Sequence, residues 1–422
     1  MCPFVEGVRD LLPEEIRQRK WVYQKLRKVF EKSGYQEVAT PTLESLDLYA
    51  ETETLLSKEQ MFKVVNESGQ ILVLRPDGTL PIARLAATRY TGIPQPWKFS
   101  YITTAYQTNG GQSERMKEKT QAGIELLGSG DILADVEVIG TLIQALKEVG
   151  INKPVIDLGQ VALVEEILTN LSLDELAKEE LCSLMEEKNV EEIRLRIQNW
   201  NLSKSEEELL TRFPVLFGEP EEVLAQLYKL PLTEKARKVV CELEEIYEKL
   251  KEIGLAQYIT FDPSMGTQLG YYTGIIFKAY VKGYGEVVAS GGRYDRLAKQ
   301  FGLDVPAVGF AINIEGLMTC LRQFDIIKLE KEPRVVLQVS NEGFAPAYRL
   351  ANLLKEWGIN AELYTGKKVF EYCKFHQIPY IGQWKDGIFS LVDQDGKKTF
   401  EFSGGLKEVA LRCWTFLTGG KD

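Results

Sequence analysis

The chain has 422 residues, 44% of them hydrophobic and 27% charged, enough for two or three domains with sizeable cores. Its net charge of −10 argues against a broad, sequence-independent nucleic-acid surface, because phosphate binding draws most of its affinity from clustered Lys and Arg. No run of about 18 uncharged apolar residues occurs, and Met1–Glu6 carries no basic segment with an apolar one behind it, so a cytoplasmic protein without membrane contact is expected. Cys2, Cys182, Cys241, Cys320, Cys373 and Cys413 are scattered without a C-x-x-C pair, and His376 is the one histidine. Free thiols are expected, with no metal site and no cofactor.

Residues Pro13 to Lys32 place Trp21, Val22, Leu26 and Phe30 on one side of a helical period, and Gly34 ends the segment. Tyr35 to Pro41 reads as a short strand stopped by proline. A second strand spans Ile71 to Arg75, after which Asp77 or Thr79 could cap a helix beginning near Leu80. Strand patterns return at Trp97 to Tyr106 and Thr120 to Leu127, and a helical period covers Asp135 to Val149.

Between residues 161 and 253 the composition turns to Glu, Lys and Leu with almost no β-branched alternation, which predicts a mostly helical insertion. Strands are expected at Tyr258 to Phe261, Gly274 to Tyr280 and Glu286 to Ser290, then a helix from Tyr294 to Phe301 and an apolar run from Ala307 to Leu321. Asp325 to Pro333 reads as a charged linker. Beyond it, a strand at Arg334 to Val339, a helix at Phe344 to Trp357 with Gly358 behind it, a strand at Ala361 to Leu363 and a hairpin over Ile388 to Phe402 predict a small α/β unit.

Three separated segments carry a family resemblance. Phe30 to Glu44 is similar to motif 1 of class II aminoacyl-tRNA synthetases, Tyr101 to Glu125 resembles motif 2, and Ser290 to Leu297 followed by Val305 to Ala311 resembles the approach to motif 3. Together with Gly7 to Pro13 and Tyr271-Tyr272 they follow the order of histidyl-tRNA synthetase. The resemblance implies an α+β fold: a class II antiparallel sheet with flanking helices over 1–325, the helical insertion at about 161–253, and a reduced anticodon-binding-like α/β domain over 334–422.

What the resemblance implies about chemistry is split. A class II synthetase joins an amino acid to ATP by attack of its carboxylate on the α-phosphate, which needs cationic donors where charge develops. The family's arginine positions fall here on Gln107, Thr267 and Gly316, and Asn109 stands where an acidic residue is usual; no catalytic residue is therefore expected. Arg115 or Lys117 of the motif 2 loop could supply charge, but neither offers a bidentate fork at the aligned place. Positions that hold histidine in the family fall on Asp77, Thr79, Gln121, Glu125, Tyr271, Tyr272 and Tyr294, all of suitable type. A carboxylate pairs with an ammonium, while Glu125 and a tyrosine hydroxyl address the imidazole nitrogens.

This combination resembles the synthetase paralogue that serves as regulatory subunit of ATP phosphoribosyltransferase. The resemblance implies a short-form catalytic subunit as partner, self-association as a dimer, free histidine as effector, and no tRNA. A divergent histidyl-tRNA synthetase or related amino-acid ligase is the competing reading. Taken singly the motifs have blander explanations: Tyr271-Tyr272 as strand packing, Gly291 to Asp295 as a tight turn, Gly110 to Ser113 as a loop tip, Glu125 as a structural carboxylate in need of a partner, and His376 as a surface residue. Their ordered co-occurrence favours the functional reading.

Overall fold

Pro13 at the first helical position, Glu14 and Glu15 in the first turn and Lys32 in the last give α1 (Pro13–Lys32) favourable charge at both ends. Its stripe of Val22, Leu26, Val29 and Phe30 is fully buried, each side chain contributing about 1.5–3 kcal/mol. The computed structural model describes residues 6–49, 61–108, 117–200, 202–265, 272–329, 333–339, 343–385 and 388–419. It separates into two units, Met1–Lys328 and Leu329–Asp422.

The elements of the first unit follow α1 in order. They are β1 (Gln36–Glu37), β2 (Leu43–Ser45), β3 (Lys63–Val65), β4 (Ile71–Leu74), α2 (Thr79–Arg89), β5 (Trp97–Tyr106), β6 (Glu118–Leu127) and α3 (Ile132–Glu148). After β7 (Pro154–Gln160) come the helices α4 (Val161–Thr169), α5 (Glu175–Glu186), α6 (Val190–Ile197), α7 (Lys204–Arg212), α8 (Pro220–Leu227) and α9 (Glu234–Glu252). The chain then returns through β8 (Ile259–Phe261), β9 (Ile275–Val281), β10 (Val287–Arg293), β11 (Ala307–Asn313) and α10 (Ile314–Gln323).

Eight of these strands form one sheet in the order β1-β5-β6-β11-β10-β9-β7-β8. Its pairs are antiparallel except β1 with β5 and β7 with β8. Alternation along the strands gives it two different faces. Ala122, Ile124 and Leu126 of β6 join α1, α3 and α10 in one core, whereas Trp97, Phe99, Tyr101 and Leu127 join α2, Tyr272 and Tyr294 in another. The second face carries the candidate site. A small sheet, β2-β4-β3, leads into it through β4.

Four of the insertion's helices have capped starts that the Glu- and Lys-rich composition conceals. Asp174, Asn189, Ser203 and Thr233 each accept from a first-turn amide, and Ser203 with Glu206 makes a reciprocal box. The apolar stripe of α9, with Val240, Leu243, Ile246 and Leu250, is buried in the same core as α3.

Two expectations change in detail, and some elements were not expected. The helix expected from Tyr294 is a short 3-10 turn, Leu297–Phe301, because the Tyr294 amide is tied to the Ala307 carbonyl at 2.8 Å and holds the chain against β11. Pairing of the strand expected from Tyr35 to Pro41 covers Gln36–Glu37 plus one bond from Val38 to Ser100. The strands β3 and β7 and the final helix lie outside the predicted elements.

The second unit holds a five-stranded sheet, β13-β12-β14-β15-β16, built from β12 (Arg334–Gln338), β13 (Asn360–Tyr364), β14 (Tyr380–Lys385), β15 (Ile388–Asp393) and β16 (Lys398–Phe402). The first three strands are parallel and the last two form the hairpin turned at Gly396, whose φ is +82°. Helices α11 (Phe344–Glu356) and α13 (Leu406–Thr418) share one core with the sheet, and α12 (Val369–Phe375) contributes to a second. His376 is exposed, its ring 4.3 Å from that of Tyr372. Among the described residues no helix is long and apolar enough to cross a membrane.

Candidate ligand pocket on the glycine-lined sheet

Glu125 stands on β6 between two strands that give it room. Its register partners are Phe99 on β5 and Gly309 on β11, and a Cβ at Gly309 would lie 1.8 Å from its Oε2. The residue is 1% exposed yet satisfied: the Thr79 hydroxyl donates to Oε1 at 2.8 Å and the Tyr294 hydroxyl donates to Oε2. Burial pushes its carboxyl up to about 8, against the opposing pull of Tyr294 and Thr79, with Asp77 adding to the rise. A shift in that direction favours the protonated carboxyl near neutral pH.

Other positions that the resemblance assigns to histidine gather near it. Asp77 and Thr79 sit at the start of α2, where Asp77 Oδ1 accepts the Leu80 amide at 3.0 Å and caps the helix. Burial also raises the Asp77 carboxyl, while the Leu80 and Thr79 amides pull it back. Gln121 shares the face of Glu125 and accepts the Gly78 amide at 3.1 Å. Tyr272 and Tyr294 are buried in the same apolar cluster as Phe99 and Tyr101. Tyr271 and Thr267 lie outside the described residues.

Of the positions where the resemblance places the family's arginines, the two that are described, Gln107 and Gly316, are neutral and engaged. Gln107 donates through Nε2 to the Pro76 carbonyl at 2.9 Å, next to Asp77, so the neutral amide is spent on the backbone. Gly316 lies in the first turn of α10, where its amide donates to the Asn313 side chain at 3.3 Å. Arg75, the buried cation nearby, is consumed by carbonyls of Thr40, Pro41 and Thr104 at 2.7–3.2 Å. Asn109 and Arg115 lie outside the described residues, and the Lys117 amide is bonded to the Gly7 carbonyl at 2.8 Å.

A family model described as histidyl-tRNA synthetase matches residues 7–317. The ATP phosphoribosyltransferase regulatory subunit of Caldanaerobacter subterraneus subsp. tengcongensis is 38% identical over 380 residues, covering 90% of this chain and 99% of that one. The chain belongs to the ATP phosphoribosyltransferase regulatory subunit family. The family's subunit from Alkaliphilus metalliredigens is 37% identical, over 80% of this chain and 85% of that one. A solved structure from Bacillus halodurans, named as an ATP phosphoribosyltransferase regulatory subunit/histidyl-tRNA synthetase, superposes with a TM-score of 0.79 at 29% identity, covering 89% of this chain and 96% of that one. Histidyl-tRNA synthetase from Nostoc sp. PCC 7120 shares the fold at 20% identity, with a TM-score of 0.73 over 98% of this chain and 99% of that one. The eight-stranded sheet of this regulatory-subunit family member is thus the class II synthetase-like sheet that the motifs imply.

Two features of the pocket escape a motif-based reading. Tyr101 on β5 is 3% exposed, its hydroxyl close enough to Thr79 and Glu125 to feel both but outside hydrogen-bond geometry with either. Its ring occupies space opened by Gly78 and Gly123, where an added Cβ would come within 2.3 and 2.7 Å of it. Gly292 does the same for Tyr272, whose ring atoms lie 2.8 Å from such a Cβ. The signal was available as glycines in strand centres, Gly123, Gly291, Gly292 and Gly309, which mark close approach over a sheet.

Proposed function

We propose that the chain is the regulatory subunit of an ATP phosphoribosyltransferase acting in the first step of histidine biosynthesis, and that it binds free histidine without adenylating it. The names of its relatives support the assignment to that enzyme. The partner is a short-form catalytic subunit that depends on this chain for activity and for feedback inhibition by histidine. Self-association as a dimer follows the motif 1 resemblance, and the assembly works in the cytoplasm.

One observation carries the reading: Asp77, Thr79, Gln121, Glu125, Tyr272 and Tyr294 gather around one buried carboxyl, while Gln107 and Gly316 offer no charge to an α-phosphate. Losing one electrostatic donor from such a site costs about 3–4 kcal/mol of transition-state stabilisation. Histidine's ring is addressed by Glu125 and a tyrosine, its ammonium by Asp77, Thr79 and Gln121. Its effect on the partner arises from differential affinity for two assembly states.

The second unit, read as a reduced anticodon-binding-like domain, has no role in tRNA binding in this account. Lys368 and Lys374 are paired with Glu371 and Asp395 at 2.9 and 3.2 Å, an interspersed pattern unlike a phosphate-binding face. Mixing the chain with a short-form catalytic subunit should yield a stable complex with gained, histidine-sensitive activity. Robust histidine-dependent ATP–pyrophosphate exchange by the chain alone, with no complex formed, is the result that favours a divergent ligase instead.

A further inference from the structure

Arg293 ends β10 next to Gly292, and alternation sends its side chain to the face opposite the pocket. The guanidinium is held there by three different parts of the loop and helix that follow β6. Its Nε donates to Asp135 Oδ1 at 3.1 Å and its NH2 lies 2.9 Å from the same oxygen. NH1 donates to the Ser129 carbonyl at 3.1 Å and NH2 to the Asp131 carbonyl at 3.3 Å. NH1 also lies 3.4 Å from Asp295 Oδ1.

The main chain of the same residue reaches the other side of the pocket. The Arg293 carbonyl accepts the Thr273 amide at 2.8 Å, the Asp295 amide donates back to Thr273 Oγ1 at 3.1 Å, and the Asp295 carboxylate accepts the Ala307 amide at 2.9 Å. Each ligand-facing aromatic therefore neighbours a bond of this network: Tyr272 precedes Thr273 and Tyr294 follows Arg293. Glu125 lies on the strand that runs directly into Ser129.

We propose that Arg293 is the positioning residue of the pocket: its guanidinium, anchored on Asp135, sets the mutual placement of Glu125, Tyr272 and Tyr294 and hence the fit for an imidazole-bearing ligand. The reference to an imidazole rests on the function proposed above; the placement of the three side chains does not. A planar fork with fixed donor directions is what allows one side chain to index Ser129, Asp131 and Asp135 together, and a lysine ammonium on a flexible stem cannot reproduce it. Stability alone gives no reason for a buried ion pair here, since apolar residues of similar volume serve that purpose as well.

The test compares Arg293→Lys and Asp135→Asn with the native chain in two readouts. The first is a 13C NMR titration of the Glu125 carboxyl without ligand, assigned by its disappearance in Glu125→Gln. Glu125 is faced by Asp77 ahead of α2, Thr79 on α2, Tyr101 on β5 and Tyr294, with Tyr35 after α1 within electrostatic reach, and neither variant alters any of them. Withdrawal of the Tyr294 donor, which holds the carboxyl down, moves the midpoint upward from its native value of about 8 in both variants. Arg27→Lys, in an exposed pair with Glu37, leaves it in place.

The second readout is a double-mutant cycle on binding of L-histidine. Tyr294→Phe weakens binding in the native chain but adds little in Arg293→Lys, a coupling of about tenfold. A lowered melting temperature with an unmoved Glu125 midpoint and additive losses in the cycle overturns the proposal, leaving Arg293 a structural residue. If Arg293→Lys does not fold, Asp135→Asn decides by the same titration. A native chain that ignores histidine while the midpoint still moves refutes the proposed function and leaves the positioning role standing.

Discussion

Thr79, in the first turn of α2, donates to Oε1 of Glu125 on β6 at 2.8 Å, so the helix that brings Asp77 to the pocket is bonded directly to the carboxyl at its base. The bond crosses from helix to sheet inside an apolar cluster, where an unpaired carboxyl would be costly. Glu125 thus ties the helix to the sheet through a carboxyl whose affinity for a proton is raised by burial.

A consequence appears in stability against pH. The folded Glu125 carboxyl titrates at about 8, against 4.5 for its ordinary value, so the folded state keeps a proton that the unfolded chain has released. Stability from this group is present below pH of about 4.5 and is lost progressively as pH rises to about 8. Glu125→Gln removes the loss, so the variant should gain on the native chain by a few kcal/mol, roughly, between those limits. Urea unfolding at pH 5 and pH 9 checks it, and parallel curves for the two proteins at both values refute it.

Most of the fold was legible because it rests on local patterns. The period of α1, the long strands β5 and β6 and the apolar stripe of α9 are all written in spacing, and they coincide with their observed elements. What escaped has a tertiary cause. The Tyr294 segment looks helical in isolation, yet a bond to Ala307 across the sheet overrides that preference. The site was partly legible: Glu125 called for a partner and found Thr79 and Tyr294, whereas Tyr101 and Arg293 gain their meaning from neighbours far away in sequence.

Gln107→Arg offers a cation to the carboxylate end of the ligand at a place where the amide now serves the Pro76 carbonyl. Histidine affinity should rise by about 10- to 100-fold, in line with roughly 1.5–3 kcal/mol for a charge-assisted bond. ATP–pyrophosphate exchange should remain undetectable because Gly316 still supplies no charge. Titration with histidine and an exchange assay measure the two halves separately.

Space at the base of the pocket is as specific as its polarity. A methyl at Gly309 would lie 1.8 Å from Glu125 Oε2 and 2.5 Å from the Ile124 carbonyl, and backbone cannot rotate away. Gly309→Ala should cost about 1–3 kcal/mol and abolish histidine binding. Gly130→Ala, whose nearest contact is Pro306 at an ordinary 3.5 Å, should stay within about 0.5 kcal/mol of the native chain. Thermal denaturation and calorimetry distinguish the pair.

On the other face, Arg19 of α1 pairs with Glu315 of α10 at 2.9 Å, and Glu315 also accepts the Thr120 amide at 2.8 Å. Arg19→Met leaves that carboxylate short of its cation and should destabilise the first unit by about 3 kcal/mol. Histidine affinity, set on the opposite face, should change by less than about twofold if distant sites are additive. Denaturant unfolding together with a binding isotherm checks both expectations.

The central claim is a histidine pocket retained without its chemistry, and isothermal titration of the purified chain with L-histidine tests it most directly. The account predicts saturable one-site binding that Glu125→Ala abolishes while the variant stays folded. Binding that is unchanged in Glu125→Ala, or no binding to the folded native chain, would contradict it.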